Sequence, residues 1–201
     1  MICIDDLFDL VQETNFTPSS YQYFHQLLDN RTVVFNEEIK ENILEKVYLP
    51  LRDFELDDSD RPVTLILSSI GGSISDSFFL AYYIARYKKK LNIIVTGSAA
   101  SMATILLCGG GKNDNVTRYC FPCSYGLLHD GSVTLAASEA KTASDIMAFN
   151  DCVDKQIKEF IIENTNITEE LYDSKSRHQW FLSSKEMKDL NIIDKIYGVD
   201  E

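Results

Sequence analysis

Residues 92–110 read NIIVTGSAASMATILLCGG, and this stretch decides the fold. An apolar, β-branched run of strand length comes first. An apolar run of helical length follows and ends in two glycines, as helices commonly do. Small residues and two serines, Ser98 and Ser101, separate the two runs. The stretch therefore predicts a buried strand that passes directly into a buried helix, with Ser101 where the helix begins.

The same order of strand and helix continues on both sides of this stretch. Upstream, VTLILSS (Val63–Ser69) is a continuous apolar run, which suits a strand covered on both faces, and DSFFLAYYIARYKKK then reads as a buried helix. Downstream, VTRYC and YGLLH read as two further strands joined by the turn FPCS. The alternation predicts an α/β fold with a largely parallel sheet.

Three further segments carry helix signals. Asn36 precedes EEIKENILEKVYLPLRDF, where apolar residues recur at helical spacing, so Asn36 is predicted to cap a helix. A long helix is predicted from about Ala137 to Asn164, with a buried stripe that runs from Ile146 through Phe149, Val153 and Ile157 to Phe160. Ser183 and Glu186 have the spacing of a capping box.

The composition limits the classes of function. The 201 residues suit one domain, and 31 acidic against 19 basic residues give a net charge of −12, which argues against nucleic acid or an anionic membrane as a partner. No apolar run is long enough to span a bilayer, and the acidic start MICIDDLFDLVQE is unlike a secretory signal peptide. Five cysteines in mostly apolar settings suit reduced thiols in a cytoplasmic compartment. The single CxxC at Cys120 and Cys123 is expected to be apolar packing rather than a metal site.

Two loops stand where the predicted strands end. The first contains Gly71 and Gly72, which let a substrate approach backbone amides, and the second leads into Ser101. In open α/β sheets, sites form at the carboxyl ends of strands, and free N–H groups at a helix start favour an anion. Ser101 is thus a candidate nucleophile with an oxyanion hole beside it. Helix capping or tight packing of small residues is the alternative interpretation.

A serine nucleophile needs a base, and the sequence has three histidines. His25 reads as a helix-surface residue, and His178 lies in SRHQW before the last short elements. His129 ends an apolar strand, which places a polar side chain at the edge of a buried run. His129 is therefore the candidate general base, with a hydrogen-bonded histidine at the rim of the core as the alternative.

Five motifs follow one another in a recognisable order: Leu27-Leu28-Asp29-Asn30-Arg31, Ser69-Ile70-Gly71-Gly72-Ser73, Ala99-Ala100-Ser101-Met102, Arg118 to Pro122 with Leu127-Leu128-His129, and Phe181-Leu182-Ser183 with Asn191 to Asp194. In this order and spacing, the chain resembles the proteolytic subunit of the Clp protease, ClpP, over residues 20–197. Ile70 stands where the family usually has proline.

The resemblance implies a crotonase-like α/β fold with a protruding handle helix, assembled as stacked rings of seven subunits around a closed chamber. It implies an N-terminal segment over residues 1–19 and a peptidase domain over 20–197, with the handle region at about 130–164. It further implies an ATP-dependent serine endopeptidase that cleaves unfolded polypeptides, works with an AAA+ unfoldase and needs no cofactor or metal. By the same resemblance, Ser101 is the nucleophile, His129 the base, and the N–H groups of Gly72 and Met102 form the oxyanion hole.

The chain departs from the family at the third member of the catalytic triad. Gln179 stands where the family has aspartate, and Asp173 is the alternative acid if its loop folds back. Arg177 and His178 replace residues that link rings in the family, and DGSVTLAASEA lacks the family's proline and glycine-rich strand. A catalytically weak or inactive structural or regulatory subunit is therefore the alternative function. An acyl-CoA enzyme of the same fold is a third.

Overall fold

The computed structural model describes residues 26–129 and 140–200. The strands are β1 (Thr32–Phe35), β2 (Val63–Ser69), β3 (Leu91–Ala100), β4 (Val116–Cys120), β5 (Tyr125–Leu128), β6 (Trp180–Ser183) and β7 (Lys195–Ile196). The helices are α1 (Leu49–Leu56), which continues a π-helical turn at Leu44–Tyr48, α2 (Ile74–Ile84), α3 (Met102–Gly109), α4 (Ala140–Asn164), α5 (Glu169–Lys175) and α6 (Ser184–Asp189).

The sheet confirms the predicted α/β class. Five strands follow one another in the order β1-β2-β3-β4-β7, and every neighbouring pair in this order is parallel. β5 adds to β3 in parallel, and β6 pairs with β5 antiparallel. The result is a mostly parallel sheet flanked by helices.

β3 changes its partner along its length. Residues 91–95 pair with β4, and residues 98–100 pair with β5. The segment from Phe121 to Ser124 connects β4 to β5. The Oγ of Ser124 holds this segment against β3 by donating to the carbonyl of Val95 at 3.0 Å. Because β3 and β5 are parallel, the residues that follow both strands lie at the same edge of the sheet.

The core surrounds β3 and α3. All eight residues of α3 are buried, and a Cβ at Gly109 would collide with the carbonyl of Ala81 in α2. A glycine at this position therefore allows the two helices to approach closely. The predicted strand followed by a buried helix is confirmed.

Arg118 ties β4 to the end of the chain. Its side chain is fully buried, and its guanidinium donates to both carboxylate oxygens of Asp194 at 2.6 and 3.0 Å. It also donates to the carbonyls of Leu107 and Asn191 at 3.2 and 2.9 Å. A buried guanidinium with this many partners satisfies the rule that buried charges are paired.

Asn36 does not cap a helix, so that prediction is wrong. Ile39 forms a parallel bridge with Gly72: its N–H donates to the carbonyl of Gly71 at 2.8 Å, and its carbonyl accepts the N–H of Ser73 at 2.9 Å. These bonds hold the backbone of Ile39 extended, which delays the helix until after residue 42. Tertiary pairing with the glycine loop thus overrides local helical periodicity.

α4 confirms only half of its predicted buried stripe. Ile157 and Phe160 are buried, whereas Phe149 is 67% exposed. The ring of Phe160 packs edge-on against Phe78, with centroids 5.3 Å apart, so the carboxyl-terminal half of α4 lies against α2. The predicted residues 137–139 of this helix lie outside the described residues.

The predictions for the capping box and for the CxxC cysteines have different outcomes. The capping box is confirmed, since the Oγ of Ser183 accepts the N–H of Glu186 while the carboxylate of Glu186 accepts the N–H of Ser183. Cys108 and Cys120 are buried, and burial raises the pKa of their thiols to about 12 and about 11. Cys123 is exposed, contrary to the expected apolar packing of both CxxC residues.

Within the described ranges, no group of three or more His, Cys, Asp or Glu is arranged to hold a metal ion. The described helices include none with the length and apolar character needed to cross a membrane.

Candidate active site

Ser101 occupies a strained corner between β3 and α3. Its φ of 55° and ψ of −125° are rare for a residue with a side chain. Its N–H donates to the carbonyl of Leu127 at 2.7 Å, and its own carbonyl accepts the N–H of Thr104 at 2.9 Å. The hydroxyl of Thr104 lies 2.9 Å from the same Leu127 carbonyl and 2.6 Å from that of Ala99. This corner therefore turns the Ser101 side chain out of the core and ties it to β5.

The glycine loop lies directly against this corner. Gly71 has a φ of 94°, and a Cβ on it would lie 2.6 Å from the carbonyl oxygen of Ala100 and 2.8 Å from the Cβ of Ser101. The Oγ of Ser69 shapes the loop by accepting the N–H of Gly71 at 3.2 Å and donating to the carbonyl of Glu37 at 2.6 Å. Only glycine at position 71 lets the loop approach the serine this closely.

The backbone amides of Gly72 and Met102 lie beside Ser101. Met102 is the first residue of α3, where helical N–H groups have no intrahelical partner. Within residues 26–129 and 140–200, neither amide donates to a backbone or side-chain acceptor. Both residues line the same cavity as Ser101. Two fixed donors next to a hydroxyl are what an oxyanion hole requires.

His129 follows β5 and lines this cavity together with Ser101. The parallel pairing of β3 with β5 accounts for their meeting, since both residues follow the carboxyl ends of adjacent strands. The hydroxyl of Ser101 has no hydrogen-bond partner among the described residues, and catalytic hydrogen bonds often tighten only when substrate binds. His178 is exposed in a separate surface pocket, and His25 lies outside the described residues.

The register between β5 and β6 indicates where Gln179 would lie relative to His129. The last paired residues of β5 and β6 are Leu128 and Trp180, so continuing the antiparallel register by one residue sets His129 opposite Gln179. Asp173 does not line the cavity: it is exposed, and its carboxylate binds the Nζ of Lys158 at 2.6 Å on the adjoining groove. Gln179 does not line the cavity either: it is exposed and lines a separate surface pocket with His178. The third member of the triad therefore stays a prediction for both residues.

The cavity also holds an acid that sequence reasoning missed. It has a volume of about 150 Å³ and is lined by Gly72, Ile74, Ser101, Met102, Ile105, Leu128, His129, Asp154, Ile157, Ile161 and Tyr172. Asp154, Ile157 and Ile161 have the spacing i, i+3, i+7, which puts them on one face of α4. This spacing was visible in the sequence, but nothing local indicates that α4 crosses in front of Ser101.

Comparisons with known proteins identify the family of this chain. The family model described as Clp protease matches residues 15–200. The chain belongs to the Clp protease family. It is 28% identical over 193 residues to the ATP-dependent Clp protease proteolytic subunit 1 of Shouchella clausii (strain KSM-K16), an alignment that covers 94% of this chain and 96% of that protein.

Membership of the Clp protease family implies a serine peptidase. The family match includes every residue of the cavity.

Proposed function

We propose that this chain is a serine endopeptidase subunit of the Clp type, which cleaves unfolded polypeptides through an acyl-enzyme. The observation that carries the proposal is the position of Ser101. Its hydroxyl stands at a strained helix start, in one cavity with His129 and the backbone amides of Gly72 and Met102. A structural serine has no need for this combination of strain, base and donors.

In the first half of the reaction, the Oγ of Ser101 attacks the carbonyl carbon of the scissile peptide bond, and His129 takes the hydroxyl proton. The N–H groups of Gly72 and Met102 stabilise the negative charge on the carbonyl oxygen. The tetrahedral intermediate then breaks the C–N bond, and His129 gives its proton to the departing amine. The carboxyl-side fragment leaves with a free amino group, and Ser101 retains the rest of the substrate as an ester.

In the second half, His129 takes a proton from water, and the hydroxide attacks the ester carbonyl. The C–O bond breaks, Ser101 regains its proton from His129, and the second fragment leaves as a carboxylic acid. In this scheme the side-chain oxygen of Gln179 accepts the Nδ1–H of His129 and fixes the ring tautomer. Gln179 supplies no negative charge to stabilise the imidazolium.

The assembly proposal follows the family resemblance. We expect stacked rings of seven subunits around a chamber, a cytoplasmic location, and an AAA+ unfoldase that feeds polypeptide into the chamber with ATP. The name of the Shouchella clausii relative supports the coupling to ATP, since that protein is called an ATP-dependent proteolytic subunit. The proposed peptidase domain spans residues 20–197, with a handle at about 130–164 and a separate N-terminal segment over 1–19.

A fluorophosphonate probe tests the nucleophile, because it reacts with activated serines. The assembled protein is expected to be labelled at Ser101, and labelling should vanish in Ser101→Ala. Ser98→Ala is the matched control, since Ser98 lies on the same strand and pairs with Tyr125 of β5. Absence of labelling, under conditions in which a Clp peptidase control reacts, would overturn the proposal.

The neutral Gln179, in place of the family's aspartate, supports a second candidate function, a catalytically weak or inactive ring subunit with a structural or regulatory role. In that case the protein would assemble but hydrolyse peptides no faster than Ser101→Ala. Peptide turnover that disappears in Ser101→Ala would exclude this alternative.

A further inference from the structure

Thr104 places a buried hydroxyl behind the corner at Ser101. The sequence of α3, MATILLCG, has no other side-chain hydroxyl, and Thr104 is fully buried. Thr104 does not line the cavity beside Ser101. Burying a hydroxyl costs free energy unless it is hydrogen-bonded, so the role of this residue depends on what its Oγ1 contacts.

The Oγ1 of Thr104 contacts both strands that meet at this corner. It lies 2.6 Å from the carbonyl oxygen of Ala99, in β3, and 2.9 Å from that of Leu127, in β5. It also accepts the N–H of Leu127 at 3.4 Å. A threonine in a helix ordinarily bonds a carbonyl three or four residues earlier in the same helix, whereas these three contacts all lie outside α3. The hydroxyl therefore links α3 to β3 and to β5.

Thr104 also closes a ring of hydrogen bonds around Ser101. The N–H of Ser101 donates to the carbonyl of Leu127 at 2.7 Å, and the N–H of Thr104 donates to the carbonyl of Ser101 at 2.9 Å. The hydroxyl of Thr104 completes the ring, since it lies within hydrogen-bond distance of the same Leu127 carbonyl. Both backbone polar groups of Ser101 are thus held by one ring, which also contains the strand that leads to His129.

This ring lies where the pairing of β3 with β5 ends. Ala100 and Leu127 are the last paired residues, Ser101 follows the first of them directly, and His129 follows the second by two residues. A shift at this last pair would therefore move the serine relative to the histidine. Proton transfer needs heavy atoms about 2.6–3.2 Å apart, and a misplacement of about 1 Å can cost about 100-fold in rate.

We propose that Thr104 is a positioning residue for the peptidase reaction: its hydroxyl holds β5 against the corner at Ser101 and so sets the distance from Ser101 to His129. The inference rests on the proposed peptidase function. Thr104 acts through the backbone of Leu127 and does not touch the substrate. Because Thr104 lies outside the cavity, its hydroxyl should affect the rate of the chemical step rather than the binding of peptide.

Two pairs of side chains at position 104 isolate the hydroxyl. Valine keeps the shape of threonine without the hydroxyl, whereas serine and alanine both lack the methyl group and differ in the hydroxyl alone, so they answer the question even if valine prevents assembly. In steady-state peptide hydrolysis, kcat should fall about 10- to 100-fold in Thr104→Val and Thr104→Ala, with KM within about twofold of wild type. Thr104→Ser should keep kcat within about threefold of wild type, because its hydroxyl can make the same contacts. A role in packing alone predicts the opposite order, since valine fills the site and serine leaves a space in it.

Ser124→Ala is the matched control. The Oγ of Ser124 is buried and donates to the carbonyl of Val95, so it also ties the chain to β3, but at the end of β5 that is remote from His129. We expect Ser124→Ala to change kcat by less than about twofold, because the lost bond shares no partner with the corner. Equal losses of kcat in Ser124→Ala and Thr104→Val, or wild-type kcat in both Thr104→Val and Thr104→Ala, would overturn the inference and leave the peptidase function intact.

Hydrogen–deuterium exchange of the Ser101 amide in the assembled protein separates the inference from the proposed function, because it needs no catalysis. The carbonyl of Leu127 protects this amide, so residue-resolved mass spectrometry should show exchange about tenfold faster or more in Thr104→Val and Thr104→Ala than in wild type and Thr104→Ser. This pattern supports the inference even if the wild-type protein cleaves no peptide, which would overturn only the peptidase function. Unchanged exchange in the valine and alanine variants would overturn the inference whatever the kinetics.

Discussion

Replacing Gln179 by aspartate tests how His129 is held. Leu128 and Trp180 are the last paired residues of β5 and β6, and continuing this register by one residue would place His129 opposite Gln179. Opposed residues in an antiparallel ladder have Cβ atoms about 4.5–5.5 Å apart, which is within reach of an aspartate carboxylate and an imidazole ring. The substitution keeps an acceptor oxygen next to His129 and adds the negative charge that glutamine lacks.

The gain in rate follows from that single charge. During attack by Ser101, His129 becomes an imidazolium, and a carboxylate about 5 Å away stabilises it by about 0.8 kcal/mol at the dielectric constant of water and about 3.3 kcal/mol at an effective value of about 20. These energies correspond to about 4-fold and about 300-fold in rate. Gln179 is exposed in the isolated chain, so we expect kcat/KM to rise about 10- to 50-fold in Gln179→Asp.

Peptide hydrolysis across a range of pH measures the effect, with Gln179→Asn as the matched control because asparagine has the size of aspartate without its charge. The acid limb of the kcat/KM profile should move to higher pH in Gln179→Asp, since a carboxylate favours protonated His129 and the reaction needs its neutral form. Equal rates and equal acid limbs in the aspartate and asparagine variants would refute the proposed contact between residue 179 and His129.

Three further predictions concern the loop, the core and the thiols. Gly71→Ala should lower kcat/KM by about 100-fold or more, because the new methyl group lies 2.8 Å from the Cβ of Ser101 and displaces the nucleophile. Arg118→Met breaks a buried ion pair and should lower the free energy of unfolding in urea by about 3 kcal/mol. This value is at the lower end of the range for such a loss because the partner, Asp194, is 32% exposed. Iodoacetamide at about pH 8 should modify Cys123 much faster than Cys108 in peptide-resolved mass spectrometry, because burial raises the pKa of the Cys108 thiol to about 12.

Each of these predictions has an internal control. Gly198 has a similarly positive φ of 73°, but an added methyl group there would meet open space. Equal losses of activity in Gly71→Ala and Gly198→Ala would therefore contradict the displacement of Ser101. Arg61→Met removes an exposed arginine and should change stability by less than about 0.5 kcal/mol; an equal loss in Arg118→Met would contradict its buried role. Cys108 and Cys123 should react alike after unfolding, and equal reactivity in the native protein would contradict the burial of Cys108.

The sequence predicted the features that local chemistry determines. β3 and α3 carry unbroken apolar runs, and small residues leave Ser101 at the junction, so the strand, the helix and the serine are visible in one stretch. The capping box at Ser183 is likewise a contact between residues close in sequence. The pairing of Ser101 with His129 was implied by the resemblance to ClpP, and the parallel pairing of β3 with β5 accounts for their meeting in one cavity.

Features that depend on distant contacts were missed. Ile39 begins a run of apolar residues at helical spacing, yet two backbone hydrogen bonds to the glycine loop hold it extended. The buried stripe of α4 stops short of Phe149, which is 67% exposed at the edge of an open groove along α2, whereas Phe160 packs against Phe78. Asp154 was missed for the same reason, since its place in the cavity beside Ser101 depends on where α4 crosses the sheet.

β3 pairs first with β4 and then with β5, and this change of partner connects the strained Ser101 to the strand that precedes His129. A left-handed conformation such as that of Ser101 costs about 1–3 kcal/mol and persists only where its surroundings hold it. Here the carbonyl of Leu127 accepts the N–H of Ser101 and lies 2.9 Å from the hydroxyl of Thr104. Leu127 belongs to β5, two residues before His129, so the bonds that offset the strain at Ser101 also fix the strand that leads to His129. A β3 that paired with β4 along its whole length would have neither the bonds that hold Ser101 nor a strand to bring His129 beside it.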